Sequence, residues 1–84
     1  MPKSEEIPLD YTYAPQILAI GHDPDTKTLA VLFQPRGEKP SALYHYANFT
    51  HDDFFAFRSA DAVDDHFTKH IRPATEKHPY TRIR

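Results

Sequence analysis

The chain has 84 residues, is 39% hydrophobic and carries six Phe and five Tyr, so it has room for one small core built largely from aromatic rings. It contains no cysteine, which excludes disulfides and thiolate metal sites. No apolar run is long enough to span a membrane, and the opening Met1-Pro2-Lys3-Ser4-Glu5-Glu6 lacks a signal-peptide core, which points to a cytoplasmic protein.

The net charge of −2 is unevenly placed. Residues 1–65 hold five Lys and Arg against eleven Asp and Glu, a balance of −6, whereas residues 66–84 hold five against one, a balance of +4. The basic end either lies against an acidic body or meets a polyanion.

Residues 1–15 read as an N-terminal arm and 16–84 as the domain. In the arm Ile7, Leu9, Tyr11 and Tyr13 alternate with Pro8, Asp10 and Thr12, a pattern suited to an extended segment along a sheet edge. A first strand is predicted from Gln16 to Gly21, around Ile17-Leu18-Ala19-Ile20. The turn His22-Asp23-Pro24-Asp25-Thr26-Lys27 follows, with Pro24 fixing φ and the aspartates bonding their local backbone. Thr28 to Gln34 is the second strand, with Leu29, Val31 and Phe33 on one face. After the polar loop Pro35–Pro40, a third strand runs from about Ser41 to Ala47. Residues two apart share a face of a strand, so Tyr44 and Tyr46 stand side by side, with Leu43, His45 and Ala47 opposite.

A helix start comes next. Thr50 is placed to cap it and Asp53 to return the bond, while Phe49 and Phe54 have the spacing of a hydrophobic staple. This helix is predicted to end near Arg58. A second is predicted from a Ser59 cap, with Ala60, Val63, Phe67 and Ile71 as its buried stripe and Pro73 as its stop. The resulting fold class is α+β: a three-stranded antiparallel β-meander followed by two short helices packed on one face. Leu29, Val31 and Phe33 are expected to meet Phe54, Phe57, Val63, Phe67 and Ile71 in the core.

Chemistry-bearing patterns are few. His66 and His70 are four apart on a predicted helix, as in half of many zinc sites. The glutamate of a His-Glu-x-x-His motif is absent and no third ligand is obvious, since His78 would have to fold back, so no metal or cofactor is expected. There is no Gly-x-Ser-x-Gly elbow or phosphate-binding glycine loop, and Asp52-Asp53 and Asp64-Asp65 sit where helix starts favour acids. The expectation is therefore a non-catalytic protein. The tyrosine pair carries two readings. Sheet-borne aromatics stack unpaired bases in several RNA-binding modules, and they also simply fill small cores.

In order and spacing, several segments resemble the KTSC family. They are Ile17…Ile20-Gly21-His22-Asp23, Leu29-Ala30-Val31-Leu32-Phe33, Tyr44-His45-Tyr46, Phe67-Thr68-Lys69-His70-Ile71-Arg72 and Pro79-Tyr80-Thr81-Arg82-Ile83. Members of that family are small domains found at the C-terminus of some lysyl-tRNA synthetases and as stand-alone bacterial and phage proteins. The resemblance implies the α+β fold and suggests RNA as a ligand. Three departures stand out. His22 replaces a usual tyrosine, the Pro35–Pro40 loop is longer than the family's tight turn, and Ala60-Asp61-Ala62-Val63-Asp64 replaces an Ala-x-Ser-x-Gly pattern. Asp61, Asp64 and Asp65 would repel a phosphate at that helix start.

The functional expectation is a small interaction module that binds RNA or single-stranded nucleic acid weakly. Tyr44 and Tyr46 would supply the stacking, and Arg36, Lys39, Arg72, Lys77, Arg82 and Arg84 the phosphate contacts. The alternatives are a protein–protein adaptor that uses the arm or a sheet edge and, behind it, a metal-dependent enzyme.

Overall fold

The computed structural model describes residues 7–12, 14–35 and 37–83. The signal-peptide reading of residues 1–6, and Tyr13 of the arm, lie outside them. The predicted strands form where alternation places them: β2 over Ile17–Asp23, β3 over Thr28–Phe33 and β4 over Ala42–Tyr46. Asp23 bonds the turn as expected, its Oδ1 accepting the Asp25 N–H at 3.0 Å. A register shift between Ile17 and Ala19 lets Ile17 and Ile20 both face the main core, although they are three residues apart.

The sheet has five strands rather than three, in the order β1-β2-β3-β4-β5 with every neighbouring pair antiparallel. The two additions are edges: β1, Asp10–Tyr11, pairs with β2, and β5, Tyr80–Arg82, pairs with β4. β1 lies on an edge, where the alternation of the arm suited it, whereas β5 is too short to show an alternation of its own. Both strands are held by bonds beyond their own length. Thr12 N–H donates to Leu18 O at 2.8 Å, and Ile83 N–H donates to Leu43 O at 2.7 Å. Short edge strands also leave little unpaired backbone for unwanted sheet growth.

Helix α1 spans His51–Arg58, and the predicted capping box is complete. Asp53 N–H donates to Thr50 Oγ1 at 3.1 Å, and Thr50 N–H donates to the Asp53 carboxylate at 3.3 Å. The second helix starts later than Ser59. Ser59 ends α1, its N–H donating to Phe55 O at 3.0 Å, and α2 occupies Val63–His66 with Ala62 as an N-cap that makes no side-chain bond. From Phe67 to Ile71 the backbone widens into a π-helical turn, closed by Arg72 N–H donating to Phe67 O at 2.8 Å. Phe67 and Ile71 still face inward, and both are buried.

Both helices pack on the predicted sheet face. There Ile17, Ile20, Leu29, Val31, Tyr46, Phe49, Phe57, Phe67 and Ile71 make the main core, with Phe33, Phe54 and Val63 against it. The opposite face holds a second cluster of Ile7, Ala30 and Leu43, flanked by Leu9, Leu32 and Ile83. The arm therefore does more than follow an edge. Ile7 folds over the sheet, and Pro8 passes so close to Gly21 that a Cβ there would overlap the Pro8 carbonyl oxygen. His78 is buried as well, its Nδ1–H donating to Ala47 O at 3.0 Å while its ring meets Phe49. No helix among the described residues is long and apolar enough to cross a membrane.

Candidate functional site

Strand pairing builds the site. Tyr44 and Tyr46 share a face of β4, and across the ladder they stand opposite Arg82 and Tyr80 of β5, so two-residue periodicity places three phenols and a guanidinium on one patch. Tyr80 packs against both tyrosines of β4 with ring centroids 5.7 Å apart in each case. Phe33 meets Tyr44 edge-on at 5.5 Å, and Phe67 meets Phe33 at 5.4 Å and Tyr46 at 5.6 Å. The result is a continuous row of five rings.

These rings line an open groove of about 600 Å³. Arg72, just after the π-helical turn, and Lys39, from the β3–β4 loop, add their charges to that of Arg82. Gln16, Gln34 and Thr75 supply neutral polar groups, and no Asp, Glu or His is among the described residues of the lining. Gln34 is held in place, its Nε2 donating to Ala14 O at 3.2 Å and its backbone N–H to Gln16 O at 2.9 Å.

The groove thus gathers Tyr44, Tyr46, Lys39, Arg72 and Arg82 from the residues proposed on sequence. Lys77 is exposed elsewhere, in the turn whose carbonyl accepts a bond from Asn48 Nδ2 at 3.2 Å. Arg36 and Arg84 lie outside the described residues.

The two central tyrosines differ in environment. Tyr46 is 6% exposed and belongs to the core, whereas Tyr44 is half-buried. Burial, reinforced by the neighbouring Tyr44 and Tyr80 phenols, pushes the Tyr46 hydroxyl far above its usual range, and Arg72 opposes that only in part. The hydroxyl therefore stays a neutral hydrogen-bonding group. The most exposed ring of the groove is Tyr80 at 55%, a residue that was not among the site residues proposed on sequence. Its signals were its place in the Pro79–Ile83 segment and its two-residue spacing with Arg82.

A second cavity, of about 790 Å³, has the opposite character. It lies between β1 and the helices, and its lining includes Asp10, Asp61, Asp64 and Asp65 against the single cation Arg58. One of these carboxylates is structural, since Asp64 Oδ2 accepts the Gln16 N–H at 3.0 Å. The His66 and His70 rings stand 4.7 Å apart, and no group of three or more possible metal ligands occurs among the described residues.

A five-stranded antiparallel sheet with short helices on one face and a basic aromatic groove at one edge defines a small α+β domain. A family model described as the KTSC domain matches residues 15–74, and the chain belongs to that family. The match runs from the start of β2 through the π-helical turn and stops before β5. The crystal structure of a KTSC domain protein from Yersinia pestis is similar with a TM-score of 0.77 and 24% sequence identity, covering 93% of this chain and 99% of that one. At that identity the likeness concerns the fold alone. No curated protein matches the chain.

Proposed function

We propose that this KTSC domain is a non-catalytic module that binds single-stranded nucleic acid, RNA in the first place, in the tyrosine groove. The observation that carries the reading is the make-up of that groove: three phenols beside Lys39, Arg72 and Arg82, with no acidic residue among the described lining. Cations neutralise phosphates while aromatic faces accept unpaired bases, a combination that tolerates many sequences but excludes a stacked duplex. The acidic body makes the binding weak and dependent on low salt. A binding role fits better than catalysis because the lining offers phenols, amides and permanent cations but neither a carboxylate nor an imidazole to move protons near neutral pH. An adaptor that uses the arm is the less supported reading, because β1 is already paired with β2 and Ile7 is seated on the second sheet face.

Fluorescence anisotropy with short RNA and DNA oligomers at low salt tests the proposal. Binding should be to single strands, and it should weaken uniformly across sequences when Arg72 or Arg82 is changed to Gln, with a shallower salt dependence. Absence of binding at protein concentrations on the order of 100 μM, the weak end of non-specific contacts, would discard nucleic acid as the ligand.

A further inference from the structure

Resting on that reading, the arrangement of the rings limits how much of a strand the groove can hold. Five rings line it, but four are engaged by neighbours. Tyr46 and Phe67 are core residues, 6% exposed each. Tyr44 is wedged between the edge of Phe33 at 5.5 Å and Tyr80 at 5.7 Å, and Phe33 is itself held between Tyr44 and Phe67. Neighbouring centroids lie only 5.4 to 5.7 Å apart and the rings are tilted, so no base can slide between them. Tyr80 differs. Its inner side meets Tyr44 and Tyr46, while 55% of the residue remains open to solvent on the sheet's outermost strand.

Two cations line the groove with this ring. Arg82 lies on the same face two residues along β5, roughly 7 Å away along the strand. Arg72 comes from the helical layer beside Tyr46, the residue directly opposite Tyr80 in the ladder.

We infer that Tyr80 is the stacking platform of the groove and that the domain seats one unpaired nucleotide there, with its two flanking phosphates on Arg72 and Arg82. The site is thus a reader of single extruded or terminal nucleotides rather than a track along a strand. Affinity should rise from a nucleoside to a nucleotide flanked by two phosphates. Beyond that length it should grow only in proportion to the number of registers a longer strand offers. The salt slope should correspond to two phosphates, about −1.4 on a log–log scale.

Isothermal titration of the full chain with unlabelled oligouridylates of increasing length, at several low salt concentrations, measures both. Tyr80→Phe keeps the ring and should bind as the parent does. Tyr80→Leu keeps an apolar residue on β5 but removes the ring, and should weaken binding at least about fivefold, with circular dichroism and the denaturation midpoint verifying the fold. An affinity that keeps climbing steeply with length, or a folded Tyr80→Leu variant that binds normally, would overturn the single-nucleotide seat while leaving nucleic-acid binding intact. If no oligomer binds the parent protein, the seat and the proposed function both fail.

Discussion

Phe67 links stability to the groove more directly than any other residue. It is 6% exposed, contacts Phe33, Tyr46 and Phe57, and forms part of the groove lining. Phe67→Ala removes a buried ring and leaves a cavity in the main core, and should destabilise by about 3–5 kcal/mol in denaturant titration. An unchanged midpoint would take the π-helical turn out of the core. Gly21 makes the complementary case. A Cβ there overlaps the Pro8 carbonyl, so Gly21→Ala must push the arm off the second face and expose Ile7, Ala30 and Leu43. The expected cost is about 1–3 kcal/mol, with faster amide exchange at Thr12, whose N–H donates to Leu18 O, as the local signature. Unchanged exchange there would mean that the arm is not seated through Gly21. The same residue-level view separates the tyrosines. Tyr46→Ala would leave a hole in the core, so Tyr46→Phe is the substitution that probes its hydroxyl.

Among elements, α1 has the clearest local encoding. Thr50 and Asp53 make both bonds of the capping box, and Thr50→Ala should cost about 1 kcal/mol, read from the same denaturant titration. β2, β3, β4 and α1 were legible because each carries its own periodicity or cap. The remaining elements were less legible. The alternation of the arm suited the edge where β1 pairs with β2, but β5 is fixed by a partner distant in sequence, and Ser59 has the composition of a helix cap but ends α1 instead, leaving α2 to begin at an uncapped Ala62. The candidate site divides in the same way. Tyr44 and Tyr46 were visible from their spacing, but that Tyr46 fills the core and Tyr80 offers the open ring follows only from β5 pairing beside β4.

The helical layer also carries a pH response. Burial, and secondarily His70 at 4.7 Å, hold His66 below its ordinary value of 6.5, with the Phe57 ring packed beside it. The unfolded chain therefore binds this proton more readily than the native one. The stabilising contribution is whole above about pH 6.5 and declines as pH falls from there toward the lowered native value. Unfolding midpoints measured from pH 7.5 down to 5 should fall less in His66→Gln than in the parent, and parallel profiles would remove His66 as the source.

At the scale of the whole molecule, the opposed charges of the two cavities determine how any polyanion is received. The groove presents Lys39, Arg72 and Arg82, while the other cavity presents Asp10, Asp61, Asp64 and Asp65 around Arg58. The protein measures 34 × 29 × 23 Å, so how far the acidic side is felt depends on ionic strength. At 0.01 M salt the Debye length is about 30 Å, comparable with the molecule, and the aspartates repel a strand approaching the groove. At 0.15 M it is about 8 Å, and their influence is screened. Asp61 and Asp65 are exposed, so they can be neutralised with little disturbance to packing, whereas Asp64 holds the Gln16 N–H. The double variant Asp61→Asn, Asp65→Asn should therefore bind oligomers severalfold more tightly at 0.01 M salt and equally at 0.15 M. Arg82→Gln, which removes a contact inside the groove, should weaken binding at both. Anisotropy titrations of the three proteins at the two salt concentrations separate the cases. Tighter binding of the Asn variant that persists at 0.15 M would place the acidic cavity in contact with the strand, and the groove would no longer be the whole site.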